Sequence, residues 1–538
     1  SRKSDFLSEL NAFTVEQNEK HRRKAQYAEF EEADLNKVAY WMATGSGKTL
    51  IMHLNYYQFI FYQPKIAEQP DNILLITPNA GLTNQHAKEL DFSGIPNQYY
   101  LDAEDGFGAD PNTVKLIEIT KLKDEKTGEG DSIEVASFEG NNLVFVDEGH
   151  KGSSSEDSKW RNRREKIAQK GFTFEYSATF GQALNKADKS TQNKYGKAIL
   201  FDYSYPRFYD DGYGKDYRIL NLKKTQSFEE SQQSVYLLAN LLTFYEQIHI
   251  YHRDPDTFYK TWNIREPLLT FIGHSVQAGR TKSSWRKDER KTVSDVQKLV
   301  LFLHRVLQNE NNWTTGAIAQ LLKGDSGITR DDGTDIFEDS FGVLKSQYGN
   351  RADALYTDIL NQIFHVDASA PLHLSNLTSA AGEIGLRAGS SDSYFGVINI
   401  GEDSNFLSFI DENLPELTVE EPDAFEESLF QEINTQHSQV NILIGSKKFI
   451  EGWSSWRVSC MGLMNIGVSE GPQIIQLFGR GVRLLGKDRS LKRSSKLENI
   501  KTPDNIPYLE TLQIFGMRAN YMEQFRKYLE EEGIDTDR

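Results

Sequence analysis

Met42-Ala43-Thr44-Gly45-Ser46-Gly47-Lys48-Thr49 follows directly on the apolar run Val38-Ala39-Tyr40-Trp41. Behind it Leu50, Leu54, Tyr57 and Phe61 recur at helical spacing, as the core-facing stripe of a helix would. The stretch reads as strand, tight turn, helix. Small residues in such a turn leave backbone N–H groups free to wrap an anion, and the helix N-terminus adds a field that favours negative charge. Thr44, Gly45, Ser46 and Gly47 would form the cradle, Lys48 would reach the β- and γ-phosphates of a nucleotide such as ATP, and Thr49 would hold Mg²⁺. Met42 stands where the general pattern of such loops begins with glycine.

Two more motifs extend this chemistry. Asp147-Glu148-Gly149-His150 follows the apolar run Leu143 to Val146. Carboxylates at the C-terminal end of a parallel strand lie where open α/β sheets take ligands. Asp147 can hold Mg²⁺, and Glu148 can orient and deprotonate an attacking water. Far down the chain comes Gln476-Leu477-Phe478-Gly479-Arg480-Gly481-Val482-Arg483. Its arginines, three apart, would share one helix face, and guanidinium groups suit the charge that grows on a transferring phosphoryl group.

Further runs at Ile73 to Ile76 and Phe172 to Tyr176 alternate with helix-like stretches, the pattern of an α/β domain with a parallel sheet. A second unit opens at Leu268-Leu269-Thr270-Phe271-Ile272 and resumes at Val440 to Ile444. The expected division is a helical extension (1–37), a first nucleotide-binding domain (38–222), a linking helix (223–265), a second domain (266–490) and a helical C-terminal segment (491–538). An insertion over about 276–437 interrupts the second domain, with a helix expected at Val296 to Val306 and a strand at Tyr394 to Ile400. Tyr508 to Glu532 reads as a single helix.

With 538 residues the chain has ample length for more than one core. It has no run of 18 apolar residues, so no span of a membrane is expected. The start, Ser1-Arg2-Lys3-Ser4-Asp5, has no apolar signal region behind it. One cysteine, Cys460, excludes a disulfide framework, and a cytoplasmic setting follows. The net charge of −17 excludes binding to nucleic acid by bulk attraction, so any such contact must be local. Arg22-Arg23-Lys24, Arg161 to Lys170 and Lys487 to Lys496 are the candidate basic patches.

The three motifs, in this order on two α/β units, resemble the helicases of superfamily 2, in which two RecA-like domains share one ATP site. Thr77-Pro78-Asn79, Ser177-Ala178-Thr179, Phe271-Ile272-Gly273-His274-Ser275, Gly445-Ser446 and Glu451-Gly452-Trp453 are similar to further motifs of that group. Within it the chain looks like the motor (Res) subunit of type III restriction enzymes and related DEAD/DEAH-box defence helicases. The residues behind this are Asp147 to Gly152, Gly171 to Phe180, Asp211-Gly212-Tyr213-Gly214-Lys215-Asp216 and Ile474 to Arg483.

The resemblance implies an ATP- and Mg²⁺-dependent, DNA-stimulated motor on double-stranded DNA, working with protein partners of a restriction or anti-phage complex. It assigns Gln476, Arg480, Arg483 and Gly452 to the nucleotide. Thr77, Pro78, Asn79, Gly273, His274 and Ser446 fall to the nucleic-acid backbone, and His150, Ser177 and Thr179 to coupling. RNA unwinding, or an ATP-gated assembly switch that does not translocate, are the alternatives. Ser454 stands where relatives often carry a carboxylate, and no adenine-reading glutamine motif precedes Val38. Relatives of the restriction type carry a nuclease domain after the motor. Only about 55 residues follow Arg483, too few for such a core, so this chain by itself is not expected to cut DNA.

Overall fold

Each short apolar run becomes a strand in the computed structural model. It describes residues 2–20, 28–65, 69–100, 110–124, 132–148, 155–181, 188–222, 229–273, 295–330, 332–400, 403–420, 427–446, 453, 455–465 and 471–517. The chain divides into two units, Ser1–Tyr209 and Asp210–Arg538. In the first, β1 (Lys37–Met42), β2 (Asn72–Thr77), β3 (Asn97–Tyr99), β4 (Val114–Glu118), β5 (Asn142–Asp147), β6 (Phe172–Ser177) and β7 (Ile199–Tyr203) form one sheet. Its order is β3-β4-β2-β5-β6-β1-β7, and every pairing is parallel.

Parallel strands covered on both faces must be apolar at nearly every position. Ile73 and Leu75 of β2 pack with Leu143 and Phe145 of β5 under α2 (Lys48–Tyr62) and α3 (Ala80–Phe92). Leu74, Ile76, Val144 and Val146 face the other way, with Ile167 at the end of α4 (Ser155–Ile167). Helices α1 (Arg2–Lys20) and α5 (Lys189–Ala198) complete the unit as labelled here.

Leu50, Leu54, Tyr57 and Phe61 do lie on a helix, but on its outer face, between 45% and 67% exposed. The buried face of α2 is Met52, His53, Asn55 and Tyr56. Two of its polar members find partners distant in sequence. Asn55 donates to Tyr176 Oη at 2.6 Å, and Tyr56 to the Asn112 carbonyl at 2.9 Å. A face chosen by hydrophobicity alone therefore picks the wrong side.

The second sheet is larger. It contains β8 (Asp216–Leu222), β9 (Leu268–Gly273), β10 (Leu372–Asn376), β11 (Glu383–Ala388), β12 (Gly396–Asn399), β13 (Thr418–Val419), β14 (Ile442–Ser446), β15 (Val458–Met464) and β16 (Thr511–Met517). The order is β8-β16-β15-β9-β14-β12-β11-β10-β13. From β8 to β12 the strands are parallel, and the β12-β11-β10 steps are antiparallel.

Several expected boundaries change here. β8 pairs with β16, so the first unit ends at Tyr209 rather than at 222. The helix α6 (Glu230–Arg253) is no linker. Leu238, Leu241, Leu242, Phe244 and Tyr245 are fully buried in the core of the second unit. Thr511–Met517 is an interior strand where a helix over Tyr508 to Glu532 was expected. Its neighbours cover both faces, so its apolar residues run on without a helical period. Residues 518–538 lie outside the described ones.

The insertion is continuous with this core. α7 (Asp295–Gln308), α8 (Trp313–Lys323) and α9 (Ala352–Phe364) pack into it, and β12 pairs directly with β14. Further on, α10 (Asp403–Asn413) and α11 (Gly471–Gly481) follow. Among the described residues no helix is long and apolar enough to cross a membrane.

Lys215, just ahead of β8, is buried, and its ammonium group donates to the Val458 carbonyl. Burial pushes its pKa down to about 7, against a smaller opposing pull from Glu510. An unfolded lysine titrates near ~10.4. Between those values the unfolded chain holds more protons than the folded one, so stability rises with pH across the window, and the full cost is present below about 7. Lys215→Met should therefore raise the unfolding temperature at neutral pH, with a gain that shrinks toward pH ~10. Calorimetry across that range reads the trend, and a gain independent of pH would contradict it.

Candidate nucleotide site

The loop between β1 and α2 is built by backbone that ordinary side chains avoid. Gly45 has φ 85° and Gly47 has φ 96°. A Cβ on Gly47 would meet nothing within 4 Å, so the loop borders open space. Ser46 closes the turn, its N–H and hydroxyl both reaching the Ala43 carbonyl, at 3.1 and 2.7 Å. The hydroxyl of Thr44 is buried and has no hydrogen-bond partner among the described residues. α2 begins at Lys48 with no acidic residue in its first turn and no side-chain cap. Its first N–H groups are thus available to an anion.

Asp147 ends β5, two strands from β1 and next to β2. Its Oδ1 accepts the N–H of Glu148 at 3.0 Å, and its Oδ2 accepts from His86 Nε2 at 2.9 Å. Glu148 is 8% exposed with φ 54°, an uncommon conformation for a residue with a side chain. Such local strain gathers at functional sites. Burial pushes the His86 imidazole down, but the bond and charge of Asp147, with Glu89 and Glu148 beyond, outweigh it and hold the pKa above the ordinary value. Asp147 and Thr49 offer hard oxygen donors, the set that suits Mg²⁺.

The other predicted residues of this unit that are described fall on the same rim. Thr77 and Pro78 are buried. The Thr77 hydroxyl is 2.5 Å from that of Thr83. Asn79 caps α3, accepting the Leu82 N–H at 2.9 Å. Ser177 and Thr179 are buried together, with the Thr179 N–H on Ser177 Oγ at 3.0 Å. His150 lies outside the described residues. His86 was not found from the sequence. It belongs to no motif, and only its place three residues after Thr83, on the buried face of α3, could have shown it.

In the second unit Gly273 and Ser446 are register partners at the ends of β9 and β14. Gly273 packs so closely that a Cβ would lie 2.9 Å from that of Asp295. Gln476 and Arg480 are buried on α11, and an Arg480 Nη1 proton goes to the Trp453 carbonyl. Arg483 does not share their helix. α11 ends at Gly481, and the Arg483 N–H bonds the Arg480 carbonyl at 3.3 Å in the turn beyond. Gly481, the last residue of α11, packs so closely that a Cβ there would lie 2.4 Å from Met461. Gly452, Ser454 and His274 lie outside the described residues.

A cavity of about 1210 Å³ in the first unit lies elsewhere. Lys37, Thr173 and Glu175, near the starts of β1 and β6, line it, so it opens at the opposite strand ends. Volume alone would misplace the chemistry.

Residues 12–182 match the family described as "Type III restriction enzyme, res subunit". The chain is also similar to three solved structures, each at 12% identity. A fragment assigned as the HsdR subunit of a type I restriction enzyme from Vibrio vulnificus YJ016 aligns over 91% of this chain and 61% of its own, with TM-score 0.39. The Hef helicase domain of Pyrococcus furiosus aligns over 93% and 96%, TM-score 0.31. T4 UvsW aligns over 90% and 66%, TM-score 0.23. The chain thus spans 61% of the HsdR fragment's length. No curated protein matches.

The backbone at Gly47 yields a test. A side chain at φ 96° costs roughly 1–2 kcal/mol. Gly47→Ala should lower stability by about that much in denaturant titration, and an unchanged midpoint would contradict the turn.

Proposed function

We propose that the chain hydrolyses ATP and uses it to move along double-stranded DNA, as the motor of a restriction or anti-phage defence assembly. One observation carries this reading: the glycine-rich turn after β1 and the carboxylate pair after β5 lie on one rim of a parallel sheet, where such sheets take ligands.

Lys48 and the N–H groups of residues 44–49 bind the phosphates of ATP, and Thr49 and Asp147 would hold Mg²⁺. The ion, when bound, neutralises charge on the β- and γ-phosphates. Glu148 orients a water and takes its proton as the water oxygen bonds to the γ-phosphorus and the bond to the β-phosphate oxygen breaks, releasing ADP and phosphate. Arg480 and Arg483 supply positive charge to the transferring group, with Gln476 and Gly452 also at the nucleotide.

Asn79 and the backbone around Pro78, with Gly273, His274 and Ser446, follow the DNA backbone, while Thr77 supports from beneath. His150, Ser177 and Thr179 link the two events. Backbone contacts position a protein without reading sequence, so base choice falls to partner proteins. The expected setting is the cytoplasm.

ATPase rates with duplex DNA, single-stranded DNA and RNA test the reading. Duplex DNA should stimulate most. Stimulation by RNA instead would make the chain an RNA helicase, and rates that ignore all three would make it a switch. Lys48→Ala should nearly abolish turnover. Glu148→Gln should keep ATP binding and slow turnover severely, and full activity there would remove the base assignment.

Arg480→Ala should lower kcat by about 10³-fold or more with little loss of ATP affinity. Lysine lacks the planar fork, so Arg480→Lys should not restore it. Native kcat in the lysine variant would count against the role.

A further inference from the structure

We propose that His86 is a positioning residue that fixes the Asp147 carboxylate in the orientation that takes the divalent cation. The inference rests on reading Asp147 as a metal ligand.

The buried face of α3 is Thr83, His86 and Leu90. His86 is 3% exposed, and its Nε2 lies 2.9 Å from Asp147 Oδ2. An ionised carboxylate can only accept, so Nε2 carries the shared proton. The other carboxylate oxygen takes the Glu148 N–H at 3.0 Å. Two donors from two directions prevent the carboxylate from turning, and each oxygen keeps a lone pair for a cation. Side chains that hold a ligand in this way commonly govern metal affinity.

The ring is only half satisfied where it is buried. Its Nδ1 is buried and has no hydrogen-bond partner among the described residues. A half-satisfied buried imidazole costs free energy that an apolar residue there would not. Its one bond goes to Asp147. The helix that carries it is itself held at its start. Asn79 caps α3, and Thr83 bonds both the Asn79 carbonyl, at 2.9 Å, and the Thr77 hydroxyl. The ring is thus aimed from a fixed base, and α3 joins the residues expected to meet DNA to the residue expected to hold the metal.

Mn²⁺ serves as the probe, titrated by electron paramagnetic resonance into the full chain saturated with ATPγS. His86→Ala should weaken Mn²⁺ binding about 10–100-fold. Binding of a fluorescent nucleotide in EDTA should stay as in the parent, since that rests on the loop after β1. His86→Gln keeps an N–H near the Nε2 position and should recover Mn²⁺ affinity to within a few-fold. Should His86→Ala fail to fold, the comparison passes to His86→Gln against His86→Leu. Parental Mn²⁺ affinity in the alanine variant, or equal affinity in the glutamine and leucine variants, overturns the proposal. A parent chain that takes up Mn²⁺ no better with ATPγS than without it removes the nucleotide-site reading itself, and this inference with it.

Discussion

The parallel register of the first sheet is the constraint on which its site depends. Met42, Thr77, Asp147 and Ser177 are far apart in sequence, yet each ends a strand. Trp41 pairs with Ser177, Tyr176 with Asp147, and Val146 with Ile76, so the four ends form one rim. Reversing a six-residue strand would carry its loop about 20 Å away, to the other edge. No side-chain contact could correct an error of that size. The sheet's apolar runs therefore do more than fill a core, since they hold every strand end where its loop can act.

Strain gathers on the same rim. Positive φ angles fall at Gly45 and Gly47 on one strand end and at Glu148 on another. Glycine adopts such angles freely, while Glu148 does so with a side chain attached. The second unit shows a parallel case at Asn465, with φ 52° directly after β15. There the neighbouring end, Gly273, leaves no room for a Cβ beside Asp295. In each unit at least one such position lies at the C-terminal end of a parallel strand, where the loop leaves the sheet.

What could be read from the sequence follows from the same physics. A buried parallel strand is a continuous apolar run, so β1, β2, β5, β6, β9 and β14 were visible directly. The loop after β1 and the acids after β5 were visible because each is local. Features set by tertiary contacts were not. α2 showed its period but not its buried face, because Asn55 and Tyr56 are buried with hydrogen-bond partners distant in sequence. α6 read as a linker, although its apolar residues lie at the centre of the second core. β8 and β16 pair across almost 300 positions of sequence, and nothing near either marks that partnership. His86 acts through Asp147, 61 residues away, and carries no motif of its own.

Two lysines at opposite ends of one strand show how charge is divided between holding the fold and serving a ligand. Lys37 begins β1 and pairs with Glu175 at 2.6 Å, with side chains 8% and 2% exposed. Burial alone would push Glu175 up. The charges of Lys37 and Arg164, with bonds from Lys37 and Tyr195, outweigh that and hold its carboxyl below the usual range. Around it Lys197 pairs with Asp34 and Lys194 with Glu165, two further ion pairs among the residues lining the cavity. Removing one partner of such a buried pair typically costs ~3–5 kcal/mol, which ties this end to stability. Lys48, just past the other end of β1, makes no ion pair among the described residues. A lysine matched internally would have to break its pair before it could meet a phosphate. The unmatched one keeps its charge for a ligand, beside a helix start that carries no acid of its own.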